Sequence, residues 1–113
     1  MQKPLQIVFH QLVHSDVVEE HVRKRVTKLE TLAPRITHCR VALEKAHWHA
    51  NQGERYSVHV DVTLPGGEIA VTRSPEQAKT YEDLYAAVDA AFDDVGRRLR
   101  DFIRHRRDCF RAL

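Results

Sequence analysis

The sequence predicts an α+β fold: a two-layer sandwich in the order β-α-β-β-β-α, with a four-stranded sheet and two helices packed on one face. Three observations carry this reading. Residues 55–64 alternate strictly between apolar and polar side chains, the period of a half-buried strand. Two other segments repeat their apolar residues every three or four positions, the period of an amphipathic helix. A Pro65-Gly66-Gly67 reversal sits between two strand-like runs and predicts a hairpin.

The elements follow in order. Leu5–Gln11 is rich in β-branched and aromatic residues after Pro4 and reads as the first strand. Asp16, with Glu19 three residues on, matches a capping box and marks a helix start with Asp16 as N-cap. Val18, Val22, Val26 and Leu29, extended by Leu32, form one apolar stripe. Ala33-Pro34 ends that helix, since proline lacks the amide donor and restricts the residue before it. Thr37–Lys45 alternates with Cys39, Val41 and Leu43 on one side and predicts the second strand. His47–Glu54 reads as a loop. Arg55–Leu64 and Glu68–Arg73 are the hairpin strands, and antiparallel pairing with one solvated face is expected throughout the sheet. The last helix starts within 75–80 and runs to about Arg106, on a stripe that includes Leu84, Val88, Phe92, Val95 and Leu99.

With 113 residues, 42% of them hydrophobic and 30% charged, the chain fits a single domain over 1–113. Its core is expected at about 5–105, with a basic tail at 106–113. The apolar runs are too short to cross a bilayer, and MQKPLQIVFH lacks the pattern of a secretion signal. Two cysteines, Cys39 and Cys109, match no metal spacing and point to a reduced, cytoplasmic protein.

Net charge is only +2, but it is unevenly placed. Residues 76–94 hold six acids against one lysine, whereas residues 95–113 hold seven arginines against two acids. That polarity suits the helix macrodipole, yet a field made only of arginine also suits phosphate. On the first helix, Arg25 and Lys28 flank the apolar stripe. If the two helices lie side by side, Arg25, Lys28, Arg97 and Arg98 would form a positive channel for a nucleic-acid backbone, with Arg100 and Arg104 further round. Opposing this, Asp94 is placed to reach Arg97 and Arg98, Asp93 to reach Arg97, and Asp101 to reach Arg98 and Arg104.

Signals for catalysis are weak. No nucleophile motif is present, and Cys39 alternates inward as a core residue. His47, His49 and His59 form the best local histidine cluster, but no spacing completes a zinc pattern, so neither metal nor cofactor is expected.

Several segments then point to a family. They are Lys28-Leu29-Glu30, Arg35-Ile36, Leu64-Pro65-Gly66-Gly67-Glu68-Ile69, and above all Asp83-Leu84-Tyr85-Ala86-Ala87-Val88-Asp89 running on to Arg97-Arg98-Leu99. In this order, over about 5–105, the chain resembles the short ribosome hibernation-promoting factors, or ribosome-associated translation inhibitors. The resemblance implies a non-enzymatic protein on the small ribosomal subunit, bound to 16S rRNA in the decoding region. There it would sterically exclude messenger and transfer RNA under stress or in stationary phase. It implies RNA contacts for Arg25, Lys28 and Arg97, which fall on positions basic in the family. It also implies that pairing of ribosomes needs a second hibernation factor as partner, because the extension of the long members is not seen. Asp94 and Asp101 depart from the family pattern, which usually has lysine there, while Arg98 and Arg100 add charge at usually neutral positions. The alternative is a divergent member of the same fold that acts as a protein-interaction module without tight ribosome binding.

Overall fold

A 17-residue helix between the first two strands decides how the sheet begins. The computed structural model describes residues 5–12, 14–48, 53–74 and 81–111. Its elements are β1 (Leu5–His10), α1 (Asp16–Leu32), β2 (His38–Trp48), β3 (Gly53–Leu64), β4 (Gly67–Arg73) and α2 (Tyr81–Arg111). The strands lie side by side in the order β1-β2-β3-β4. β1 pairs parallel to β2, Ile7 opposite Val41, while the other two pairings are antiparallel. The sheet is therefore mixed, which corrects the expectation of an all-antiparallel one. The physical reason is the crossover: α1 carries the chain back along the length of β1, so β2 sets out in the same direction.

Ser15, not Asp16, caps α1. It has extended dihedrals, and its Oγ accepts from the Val18 amide at 3.4 Å. Asp16 and Glu19 then lie in the first turn, where negative charge meets the positive end of the helix. At the other end the Ala33 amide donates to Leu29 O at 2.7 Å, and the chain turns at Pro34. Thr37 starts the next pairing by donating both its amide and its hydroxyl to Thr63 O.

The alternation read from the sequence holds. Cys39, Val41 and Leu43 of β2, and Val58, Val60 and Val62 of β3, are all 1% exposed or less on one face. Onto them pack Val18, Val22 and Val26 of α1 and Leu84, Val88, Phe92, Val95 and Leu99 of α2. Two boundaries move. The β2–β3 ladder continues to a Trp48–Gly53 pair, past the expected loop limits, because backbone pairing needs no particular side chain. α2 continues to Arg111, since neither proline nor glycine interrupts residues 97–111. The expected start of α2 at 75–80 lies outside the described residues.

The β3–β4 turn is tied to α2. Gly66 has φ 90°, the left-handed region that disfavours any Cβ. A Cβ there would also stand 1.7 Å from Nη1 of Arg106, which donates to Pro65 O at 2.7 Å. Gly66→Ala is expected to destabilise the domain by about 1–2 kcal/mol, chiefly through the dihedral, since the arginine end can move aside. Urea denaturation of the variant checks this.

Candidate nucleic-acid interface

α1 and α2 are fastened to one another along their facing flanks. The Tyr85 hydroxyl donates to Val17 O at 3.0 Å, and the His21 and Tyr85 rings lie 4.5 Å apart. His21 Nε2 lies 2.8 Å from Asp89 Oδ1. Arg25 crosses the same gap and donates to Asp89 at 3.3 Å and to Asp93 at 2.5 Å. Its guanidinium carbon lies 5.9 Å from the centre of the Phe92 ring. Its Nε is buried without a hydrogen-bond partner. Arg25 is thus only 19% exposed and spends its charge on two carboxylates from the other helix.

Beyond this bridge the flanks separate into a groove of about 380 Å³. Leu29, Leu32, Phe92 and Gly96 line its apolar part, Lys28 stands on the α1 side and Arg100 on the α2 side, and the paired Arg25 and Asp93 close one end. A Cβ at Gly96 would meet nothing within 4 Å, so this turn of α2 leaves room above its backbone although the glycine itself is buried. Lys28 and Arg100 are both exposed, and neither has a carboxylate partner among the described residues. Two cations without carboxylate partners among the described residues, on opposite rims of a cleft of mixed polar and apolar lining, can take an anion of extended shape, with the exposed Asp93 opposing it at one side.

The remaining arginines are arranged differently. Arg97 and Arg98 both contact Asp94, Arg98 Nε at 3.5 Å, and Arg73 of β4 reaches the other Asp94 oxygen at 3.4 Å. Arg98 also donates to Ala70 O on β4 at 3.4 Å, which fixes it against the edge of the sheet. The expected channel of Arg25, Lys28, Arg97 and Arg98 therefore does not form. Arg25, Lys28 and Arg100 share the groove, whereas Arg97 and Arg98 belong to a separate cluster around Asp94. Asp93 pairs across the helices with Arg25, in place of the expected Arg97. Arg104 meets Asp101 at 3.9 Å, with both side chains well exposed, a contact of little energetic weight.

Asp94 is only 6% exposed. Burial works against its charge, but the hydrogen bond from Arg97 and the fields of Arg98, Arg97 and Arg73 outweigh burial and hold its carboxyl below the usual range. A depressed carboxyl stabilises the fold fully above its ordinary pKa of about 3.9, and that contribution fades as pH falls through the lower folded value. Asp94→Asn is expected to melt below the wild type at pH 7, with the gap narrowing only below about pH 4. Thermal melts across that range read it directly.

Cys39 is buried, and burial first, then Asp61 and Glu30, pushes its thiol up to about 12, so it remains protonated. Of the histidine cluster, His59 is held between Thr72 Oγ1 at 2.6 Å and Asp61 Oδ2 at 3.0 Å. His49 and the His47 side chain lie outside the described residues. His14, Asp16 and Glu19 are the grouping of potential metal ligands among the described residues. The two carboxylates there lie near different nitrogens of His14, at 3.5 and 3.4 Å. Sequence reasoning missed Gly96 and the role of Arg73. A glycine inside an otherwise strong helix was the one available signal for the groove.

Comparison with known proteins adds an independent line. Residues 5–107 match the model of the family described as sigma 54 modulation protein / S30EA ribosomal protein. The ribosome hibernation promotion factor of Deinococcus radiodurans is 32% identical over 88 residues, which cover 78% of this chain and 42% of that protein. This chain thus spans less than half the length of that relative. The N-terminal domain of Protein Y from Thermus thermophilus superimposes with a TM-score of 0.65 at 22% identity, over 86% of this chain and 94% of that one. A ribosomal subunit interface protein from Coxiella burnetii gives 0.68 at 16% identity, over 87% and 94%. At those identities the two structures speak to the fold.

Proposed function

The chain belongs to the sigma 54 modulation protein / S30EA ribosomal protein family, and on that premise we propose that it is a non-enzymatic ribosome hibernation factor. It works in the cytoplasm on the small ribosomal subunit. Its α1–α2 groove grips rRNA phosphates in the decoding region, and the domain blocks messenger and transfer RNA by occupying their place under stress or in stationary phase. In ribosome pairing this domain is the blocking element, and a second hibernation factor is its partner.

One observation carries the RNA-binding part of this reading. Lys28 and Arg100 both line the groove and have no carboxylate partner among the described residues, so their charge is available to a polyanion. Arg25 contributes less, because Asp89 and Asp93 already hold it. Arg97 and Arg98 act at second hand, since Asp94 offsets part of their field, and Arg104 adds long-range attraction.

Co-sedimentation with purified small subunits over a salt series tests the proposal. Binding is expected at low salt, and it should weaken linearly in log–log form as counterions compete for the phosphates. Absence of binding at low salt, or binding indifferent to salt, would overturn it.

A further inference from the structure

A second concavity, of about 420 Å³, adjoins the first at Leu32. Its open walls are aliphatic: Leu32, Leu64, Pro34, Pro65 and Ile103, the last 40% exposed. Phe102 lies below them, but its ring is already covered. The Arg106 guanidinium carbon is 5.7 Å from its centre, and Gly67 packs so closely that a Cβ there would stand 2.6 Å from Cε2. A nucleobase would find little open aromatic surface for stacking, whereas an aliphatic side chain would find a fitting wall.

The rim is cationic. Arg35 and Arg106 both line the cup, and no acidic residue does. Among the described residues Arg35 has no carboxylate partner, and Arg106, which donates to Pro65 O, meets none either. Elsewhere Arg23, Arg25, Arg73, Arg97, Arg98 and Arg104 all meet one. An apolar cup of this size edged by unneutralised arginines complements an acidic segment that carries a leucine-like side chain.

We propose that this cup is a docking site for a short acidic peptide segment of a partner protein, with an aliphatic side chain seated among Leu32, Leu64 and Ile103 and flanking carboxylates on Arg35 and Arg106. The cup adjoins the groove of Lys28 and Arg100 and shares Leu32 with it, but neither cation lines the cup, so the proposal does not require the RNA-binding reading.

The test is NMR titration of the isotope-labelled full chain with the capped peptide acetyl-Glu-Asp-Leu-Leu-Asp-Glu-amide. Amide shifts are expected in the non-proline residues of 32–36, 64–67 and 102–106. Replacing the leucines of the peptide by serine, or its acids by lysine, should weaken binding about tenfold or more. Ile103→Glu and Arg35→Glu should do the same while the thermal melt is unchanged, because both positions are exposed. Lys28→Ala with Arg100→Ala, which line the neighbouring groove and not the cup, should weaken peptide binding much less than Arg35→Glu does. Silence up to millimolar peptide, equal affinity for the lysine peptide, or equal affinity of Ile103→Glu would overturn the proposal. So would movement of the same resonances by oligouridylate at lower concentration, or by self-association of the chain, since the occupant would then be RNA or a second copy.

Discussion

Replacing Lys28 and Arg100 together by glutamate is expected to reduce affinity for the small subunit about a hundredfold or more at moderate salt, with the fold intact. Each position then loses a charge-assisted contact to phosphate, and such hydrogen bonds contribute about 1.5–3 kcal/mol apiece. The milder pair Lys28→Ala and Arg100→Ala should flatten the log–log salt dependence by about 1.4–1.8, the share of two phosphate contacts. Both side chains are exposed and have no ion-pair partner among the described residues, so stability should move by no more than about 0.5 kcal/mol. Arg23 is the control. It carries the same charge on α1 but is engaged with Glu19 and lies outside the groove, so Arg23→Ala should bind almost as the wild type does. Sedimentation with subunits at several salt concentrations measures all four proteins. Unchanged affinity of the glutamate pair would remove the groove from the mechanism.

Phe92→Ala should have the largest effect on stability. The ring is 1% exposed, joins both helices to the sheet and forms part of the groove floor. Truncating a buried phenylalanine costs about 3–5 kcal/mol, from lost transfer energy and from the cavity left behind. For a domain whose total stability is of order 5–15 kcal/mol, that loss brings the unfolded state within reach. The urea midpoint should fall by about 2 M, given the slopes common for small domains. Phe92→Leu, which refills much of the volume, should lose distinctly less. The effect reaches function too, because Arg25 rests over this ring while it bridges to Asp89 and Asp93.

Most of the fold was legible because burial imposes its own period on the chain. Val58, Val60 and Val62 alternate with Ser57, His59 and Asp61 because one face of β3 meets the core and the other meets water. Val18, Val22, Val26 and Leu29 recur as they do because one side of α1 lies on the sheet. The Pro65-Gly66 reversal was readable for a similar local reason, since only glycine adopts φ 90° freely. The exact cap of α1 was harder, because Ser15 and Asp16 are both good N-cap residues and only the backbone dihedrals separate them. Strand direction was not local at all. It depends on where α1 delivers the chain, and no feature within β1 or β2 encodes that.

The site divides in the same way. Sequence alone determined that Arg25, Lys28, Arg97, Arg98, Arg100 and Arg104 exist on two amphipathic helices, and that carboxylates one turn away compete for some of them. Asp94 with Arg97 and Arg98 is such a pair, set by helix spacing. Only the tertiary structure decided which cations stay free. Asp93 turns to Arg25, 68 positions away, and Asp94 also takes Arg73, 21 positions away, while Lys28 and Arg100 are left facing an open cleft. The reason is physical: a long charged side chain is neutralised by whichever opposite charge comes within a few ångströms, and packing of distant segments sets that distance.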